Sequence, residues 1–234
     1  MTYHKGTLET DCGLFDENTK GGAALGFDFG IGLNVPLYMD KLYFNIGIDV
    51  NYNGLLQEAK ELMNDLCDYL NESMKQDVVS NGMTVGTSYF VVDKNSHYIN
   101  LPILAGLKYE RRISDNISAF AEGGVGLNVR FISDWRIVGK TVFYDQGYTN
   151  EAETIDEYSY NTALTFAIKA GLGLKFAKNL SMSVLYYNLG KGSVEGRSSA
   201  VFTVNSGKPY TNELKQTLKT ITPQLLVVKL GYDF

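Results

Sequence analysis

Cysteine is almost missing from this chain: Cys12 and Cys67 are the only two in 234 residues. Two thiols build neither a disulfide framework nor a four-cysteine zinc site. Histidine is as scarce, with His4 and His97 alone. No His/Cys/Asp spacing suits a metal, and no G-x-G-x-x-G precedes a helical pattern, so no cofactor is expected. Long apolar runs are absent too, which excludes a membrane-spanning helix. Met1-Thr2-Tyr3-His4-Lys5 contains no apolar signal core, so an export signal is expected to be removed or lacking. Basic residues are outnumbered, 21 against 26 acidic ones. That balance excludes nucleic acid as a partner, because phosphate contacts need clustered cations. Proline is rare at four residues, whereas glycine reaches 24 and Phe plus Tyr 28. Hydrophobic content of 44% rules out disorder.

What the chain does have is alternation. From Leu25 to Leu37 every odd residue is apolar, with Gly26, Asp28, Gly30, Gly32 and Asn34 between. After Met39-Asp40-Lys41 the parity flips, and Leu42, Phe44, Ile46, Ile48, Val50 and Tyr52 form the next row. Period two sustained over a dozen residues predicts strands with two unlike faces. The pattern returns over Ile99–Tyr109 and Ile117–Phe131, then over Leu164–Phe176 and Leu180–Tyr186, and last over Leu226–Phe234. Short turns join the pairs. Long segments, roughly 54–96, 132–161 and 190–221, separate them and are expected to be loops. Seven strands with both ends on the short-turn side require an eighth, expected within residues 2–14.

The alternating polar face is small rather than highly charged: Gly30, Gly32, Gly47, Gly106, Gly124, Gly126, Gly171 and Gly173 lie on it. Small residues suit the crowded interior of an eight-stranded barrel, so the bulky apolar rows are expected to face lipid. The expected fold is therefore all-β. It is a single domain over 1–234, an eight-stranded antiparallel up-and-down transmembrane β-barrel with long extracellular loops. Phe44, Tyr109, Phe176, Tyr232 and Phe234 fall near the short-turn ends of the apolar face, as an interfacial aromatic girdle does.

The run Tyr98-Ile99-Asn100-Leu101-Pro102-Ile103-Leu104-Ala105-Gly106-Leu107-Lys108-Tyr109 resembles a strand of the PorT-like outer-membrane barrels of Bacteroidetes, within the wider OmpA-like eight-stranded group. Ala119-Phe120-Ala121-Glu122-Gly123-Gly124-Val125-Gly126 is similar to the strand that follows it there. The ending Val228–Phe234, with Tyr232 and Phe234, looks like the aromatic signal that barrels present to their insertion machinery. The resemblance covers about residues 22–234; the first strand and the helical insert after residue 54 depart from it. It implies the outer membrane of a Gram-negative bacterium, with membrane lipid and lipopolysaccharide as partners. It implies little about activity.

Asp28, Asp49, Glu122, Lys169 and Lys229 share the interior face at similar heights and are expected to form a buried ion-pair network. Arg130, Lys108, Glu110, Lys175 and Asp233 lie nearer the strand ends and are expected to be hydrated. Ser96-His97 invites comparison with lipid-modifying barrel enzymes, but adjacent strand residues face opposite sides, and no catalytic residue is assigned. Leu55–Lys75 is amphipathic at helical spacing, through Leu55, Ala59, Leu62, Met63, Leu66, Leu70 and Met74, and is expected to pack over the barrel rim. Cys12 and Cys67 are candidates for a disulfide at that rim. Glu151, Glu153, Asp156 and Glu157, with Asp145 nearby, form an acidic run read as a solvated surface. Trp135, Tyr144, Tyr148, Tyr158 and Tyr210 are the loop binding candidates, being residue types enriched at binding hot spots. The expected role is non-enzymatic, either binding or adhesion through loops to an extracellular or envelope partner, or envelope structure. Passage of a small or apolar molecule and a lipid-modifying activity are the alternatives.

Overall fold

The structure is a computed structural model that describes residues 2–5, 9–10, 26–38, 41–54, 57–95, 97–176, 179–205, 210–221 and 223–233. It is mostly antiparallel β, with one helix. In chain order the strands are β1 (Thr2–Lys5), β2 (Glu9–Thr10), β3 (Gly26–Tyr38) and β4 (Leu42–Gly54). Helix α1 (Gln57–Ser80) follows, then β5 (Thr84–Lys94), β6 (His97–Ser114), β7 (Ile117–Ile132), β8 (Trp135–Asp145) and β9 (Tyr148–Tyr160). The last five are β10 (Ala163–Phe176), β11 (Leu180–Asn188), β12 (Gly192–Val204), β13 (Tyr210–Ile221) and β14 (Gln224–Tyr232).

All seven alternating segments are strands. They form one eight-stranded sheet in the order β1-β14-β11-β10-β7-β6-β4-β3. The expected first strand is split into β1, which pairs with β14, and the two-residue β2, which pairs with β13. The sheet curls so far that Lys229 on β14 lies 3.2 Å from Asp28 on β3. Edge strands β1 and β3 approach within 8 Å between Cα atoms.

The long segments, expected to be loops, are a second sheet of six strands, ordered β2-β13-β12-β9-β8-β5. Connections of at most three residues carry β5 into β6, β7 into β8, β9 into β10, β11 into β12 and β13 into β14. The column orders therefore match, and the second sheet stands on the first as an upper storey. Alternation misses part of it for a physical reason. Along β9 both parities are polar, with Asn150, Thr154 and Asp156 on one and Thr149, Glu151, Glu153 and Glu157 on the other. Pairing continues there because the ladder propagates from the strand below. Hairpin β8–β9 closes on Gln146 (φ 46°) and Gly147 (φ 85°), the two left-handed residues of a type I′ turn.

Helix α1 follows β4, in the column next to β5 and β6. Met63, Leu66, Cys67, Leu70 and Met74 recur at three and four and pack on Phe90, Val92, Trp135, Ile137 and Tyr160. The helix ends at Gly82, whose φ of 76° permits the Met83 N–H to bond the Val78 carbonyl, a left-handed glycine cap. Cys67 is buried and unbridged. Cys12, the proposed partner, lies outside the described residues, as do Leu25, Leu55, Ser96 and Phe234 and the side chains of Ala59, Leu62, Tyr158 and Tyr210.

Burial in the lower storey is inverted relative to a water-soluble protein. Phe27, Ile31, Phe166, Leu172 and Leu230 are all more than half exposed, while Asn51, Asn100, Asn128 and Arg130 are at 0% exposure. Strand curvature brings backbones close on the inner side. A Cβ on Gly106 would run into the Gly123 carbonyl and come 2.5 Å from Gly124 Cα. At Gly123 the nearest atom to an added Cβ is the Lys169 carbonyl oxygen at 3.6 Å. Gly106→Ala is therefore expected to cost about 1–3 kcal/mol in reversible denaturant unfolding, and Gly123→Ala within about 0.5 kcal/mol of nothing. Equal effects of the two would contradict the register.

Candidate functional site

The interior of the lower storey holds its chemistry. Asp28 on β3 stands opposite Asn51 on β4, and the Asn51 amide donates to Asp28 Oδ2. Asp49, one inward position along β4, pairs with Lys229, whose ammonium also lies 3.2 Å from Asp28 Oδ1. Tyr187 on β11 donates its hydroxyl to Asp49 Oδ2 at 2.9 Å, reaching across the interior. Gly30 makes the space, since a Cβ there would strike Asp49 Oδ1 and lie 2.6 Å from Lys229 Nζ. Two buried carboxylates thus share one partly buried ammonium, and Asp49 also accepts from a phenol.

A second pair sits apart. Glu122 Oε2 lies 3.6 Å from Lys169 Nζ, the two residues being diagonal neighbours across β7 and β10. Lys108 faces Glu122 across β6 and β7, and its ammonium lies over the Phe120 ring, 4.2 Å from the centroid. The five interior residues named from the sequence therefore divide into Asp28–Asp49–Lys229 and Glu122–Lys169.

Arg130 and Lys108 correct the sequence reading. Both were expected to be hydrated and both are buried. Arg130 Nε donates to Asn100 Oδ1 at 3.2 Å, and Nη2 donates to the carbonyls of Leu189 and Gly190, each at 3.3 Å. Thr165 donates to the same Leu189 carbonyl at 2.6 Å, and Asn128 bonds Asn100 and Thr165. The Leu189–Lys191 link between β11 and β12 is thereby drawn inward, and Leu189 is fully buried. Arg130 sits near a strand end, but an upper storey covers that end. Lys175 is largely buried and pairs with Asp233 at 2.5 Å.

Tyr187, Asn51, Asn100 and Asn128 were not singled out from the sequence as interior site residues. Their signal was parity, as each falls on the non-apolar side of its row. Leu104 on β6, Ala167 on β10, Leu185 on β11 and Leu225 and Val227 on β14 form a buried apolar cluster with Tyr187 and Leu189. Among the described residues no group of three or more His, Cys, Asp or Glu side chains is arranged to hold a metal. His97 lies against Tyr52, with ring centroids 5.4 Å apart, and its backbone N–H donates to Ser133 Oγ at 2.8 Å.

The binding candidates also divide. Trp135 is a packing residue, buried under α1 with its indole N–H donated to Tyr160 Oη at 2.6 Å. Tyr144 and Tyr148 are exposed at the β8–β9 tip. Glu151 of the acidic run is held by Lys140 at 2.8 Å, and Asp156 is half-buried with its pKa pushed up by desolvation. Burial also pushes the Cys67 thiol pKa up, which disfavours the reactive thiolate.

Lys229→Met leaves Asp28 and Asp49 facing each other without a cation. It is expected to cost about 3–5 kcal/mol in denaturant unfolding, most of it recovered when both carboxylates are also made amides. Additive costs in that series would contradict the shared site.

No protein-family model matches the chain, and no curated protein matches it. Among solved structures, the P. putida toluene transporter TodX is similar over 100% of this chain and 77% of its own, at 10% identity. The TM-score is 0.23, at which the likeness carries neither fold nor function.

Proposed function

We propose that this chain is an outer-membrane β-barrel protein of a Gram-negative envelope. Its lower storey closes as an eight-stranded barrel in the lipid, and its upper storey is a water-facing platform. The inverted burial of the lower storey carries the proposal, because a continuous band of exposed Phe, Ile, Leu and Val of this size has no stable surface in water. The band has the right height. From Leu164 to Leu174, ten strand steps cover about 33 Å, or about 25 Å when tilted near 40°, the height of a barrel's apolar belt. Exposed Phe44, Tyr109 and Tyr232 border one end, and the stacked Phe27, Tyr52 and His97 border the other. Resemblance to the PorT-like group supports the same reading, and Tyr232 with Phe234 serves as its insertion signal.

The interior supports a closed rather than a conducting barrel. Paired charged groups and the buried Leu185, Leu189, Leu225 and Val227 together occupy it. Phe120 with Lys108 lies toward the short-turn end. An eight-stranded barrel has room for little else. The role is then non-enzymatic binding by the upper storey, with membrane lipid and lipopolysaccharide around the belt. Expressed with a signal peptide, the protein is expected in the outer-membrane fraction, to require detergent, and to migrate differently on gels before and after boiling. Planar bilayers containing it are expected to show no stable ion conductance. A folded, monodisperse monomer without detergent contradicts the location; a steady open channel contradicts the closed interior.

A further inference from the structure

Among the described residues β5 is an end strand of the upper storey, with β8 on one side and no strand on the other. Such a strand presents unpaired N–H and C=O groups along its free edge. A cavity of about 400 Å³ lies against it, lined on the strand side by Phe90, Val91, Val92 and, just past the strand, Asn95, and on the α1 side by Lys60, Asn64, Cys67 and Asp68. Successive strand residues point to opposite faces, so a cavity over a face touches every second one. Contact with three in a row places this cavity along the strand's edge. The α1 residues, spaced by seven and eight, come from one side of the helix.

Buried Phe90 and Cys67 give an apolar spot on its floor, with Asn64 and Asn95 beside it. The two ends are charged. Lys60 and Asp68 are exposed, neither is held in an ion pair among the described residues, and eight helical steps separate them by about 12 Å. An extended peptide of three residues spans about 10 Å and one of four about 13 Å.

We propose that this groove binds a short extended peptide of three or four residues with free ends. Its backbone pairs with the edge of β5, its α-amine meets Asp68, its carboxylate meets Lys60, and a small apolar side chain rests on Phe90 and Cys67. Strand addition supplies backbone hydrogen bonds in such a mode, and the floor supplies selectivity. The inference deepens the binding role of the upper storey and rests on it.

Isothermal titration of the full chain in detergent with trivaline tests it, on protein whose unboiled gel migration shows it folded. Saturable binding is expected. Trivaline methylated on its amide nitrogens is expected not to bind, because it cannot pair with the strand. Lys60→Gln is expected to weaken free trivaline about two- to fivefold and to leave its N-acetylated, C-amidated form unaffected. Absence of saturable trivaline binding up to millimolar concentration, or equal binding of the N-methylated peptide, overturns the inference. Because the protein tested is folded in detergent, either result leaves the membrane location standing.

Discussion

Lys229 lies between Asp28 and Asp49, and in doing so it joins a strand near one end of the lower sheet to two strands at the other. Removing three charges from water costs several kcal/mol for each ion unless each finds a partner. Here the partners come from opposite ends of the sheet, and curling is the only way to bring them together. The Tyr187 hydroxyl adds a second link across the same space. The glycines of the inner face follow from this demand: Gly30 leaves room for the Asp49–Lys229 contact, and Gly106 lets two backbones approach. Curvature, small inner residues and buried charge are one arrangement seen from three sides.

The upper storey depends on the same principle at a different level. Arg130 is drawn inward where the storeys meet, and its guanidinium holds the carbonyls of Leu189 and Gly190, the residues that turn β11 into β12. Above that junction α1 builds an apolar cluster, with Met63, Cys67 and Leu70 packed on Phe90, Trp135 and Ile137. A conventional apolar core therefore stands on top of an inverted one. The change of pattern falls where the exposed apolar rows end, as expected if the surrounding solvent changes from lipid to water at that height.

Much of the lower storey was legible because an exposed apolar face on one side and packed small residues on the other force a strict period of two. Within the described residues all seven rows fall on strands. The interior charges were legible as exceptions on the polar face, yet their partners were not, since Tyr187 sat beside the apolar Tyr186 and drew no notice. The upper storey was less legible. Acidic β9 has water-tolerant residues on both faces, so nothing in its periodicity separates a strand from a loop. Trp135 looked like an exposed anchor because aromatic residues in a connecting segment suggest binding; the helix that buries it comes from a distant part of the chain. Arg130 lies near the end of β7, where hydration is the natural expectation, but the upper storey covers that end.

The central claim is that the exposed apolar rows face lipid and the upper storey faces water. Spin labels placed singly at Phe166, Ile168, Leu172 and Leu174, and at Tyr89 and Val91 above them, test it in liposomes with Cys12 and Cys67 replaced by serine. Collision with dissolved oxygen is predicted to dominate at the four lower positions, and collision with a water-soluble nickel chelate at the two upper ones. Strong nickel accessibility at Ile168 and Leu172 would contradict the account.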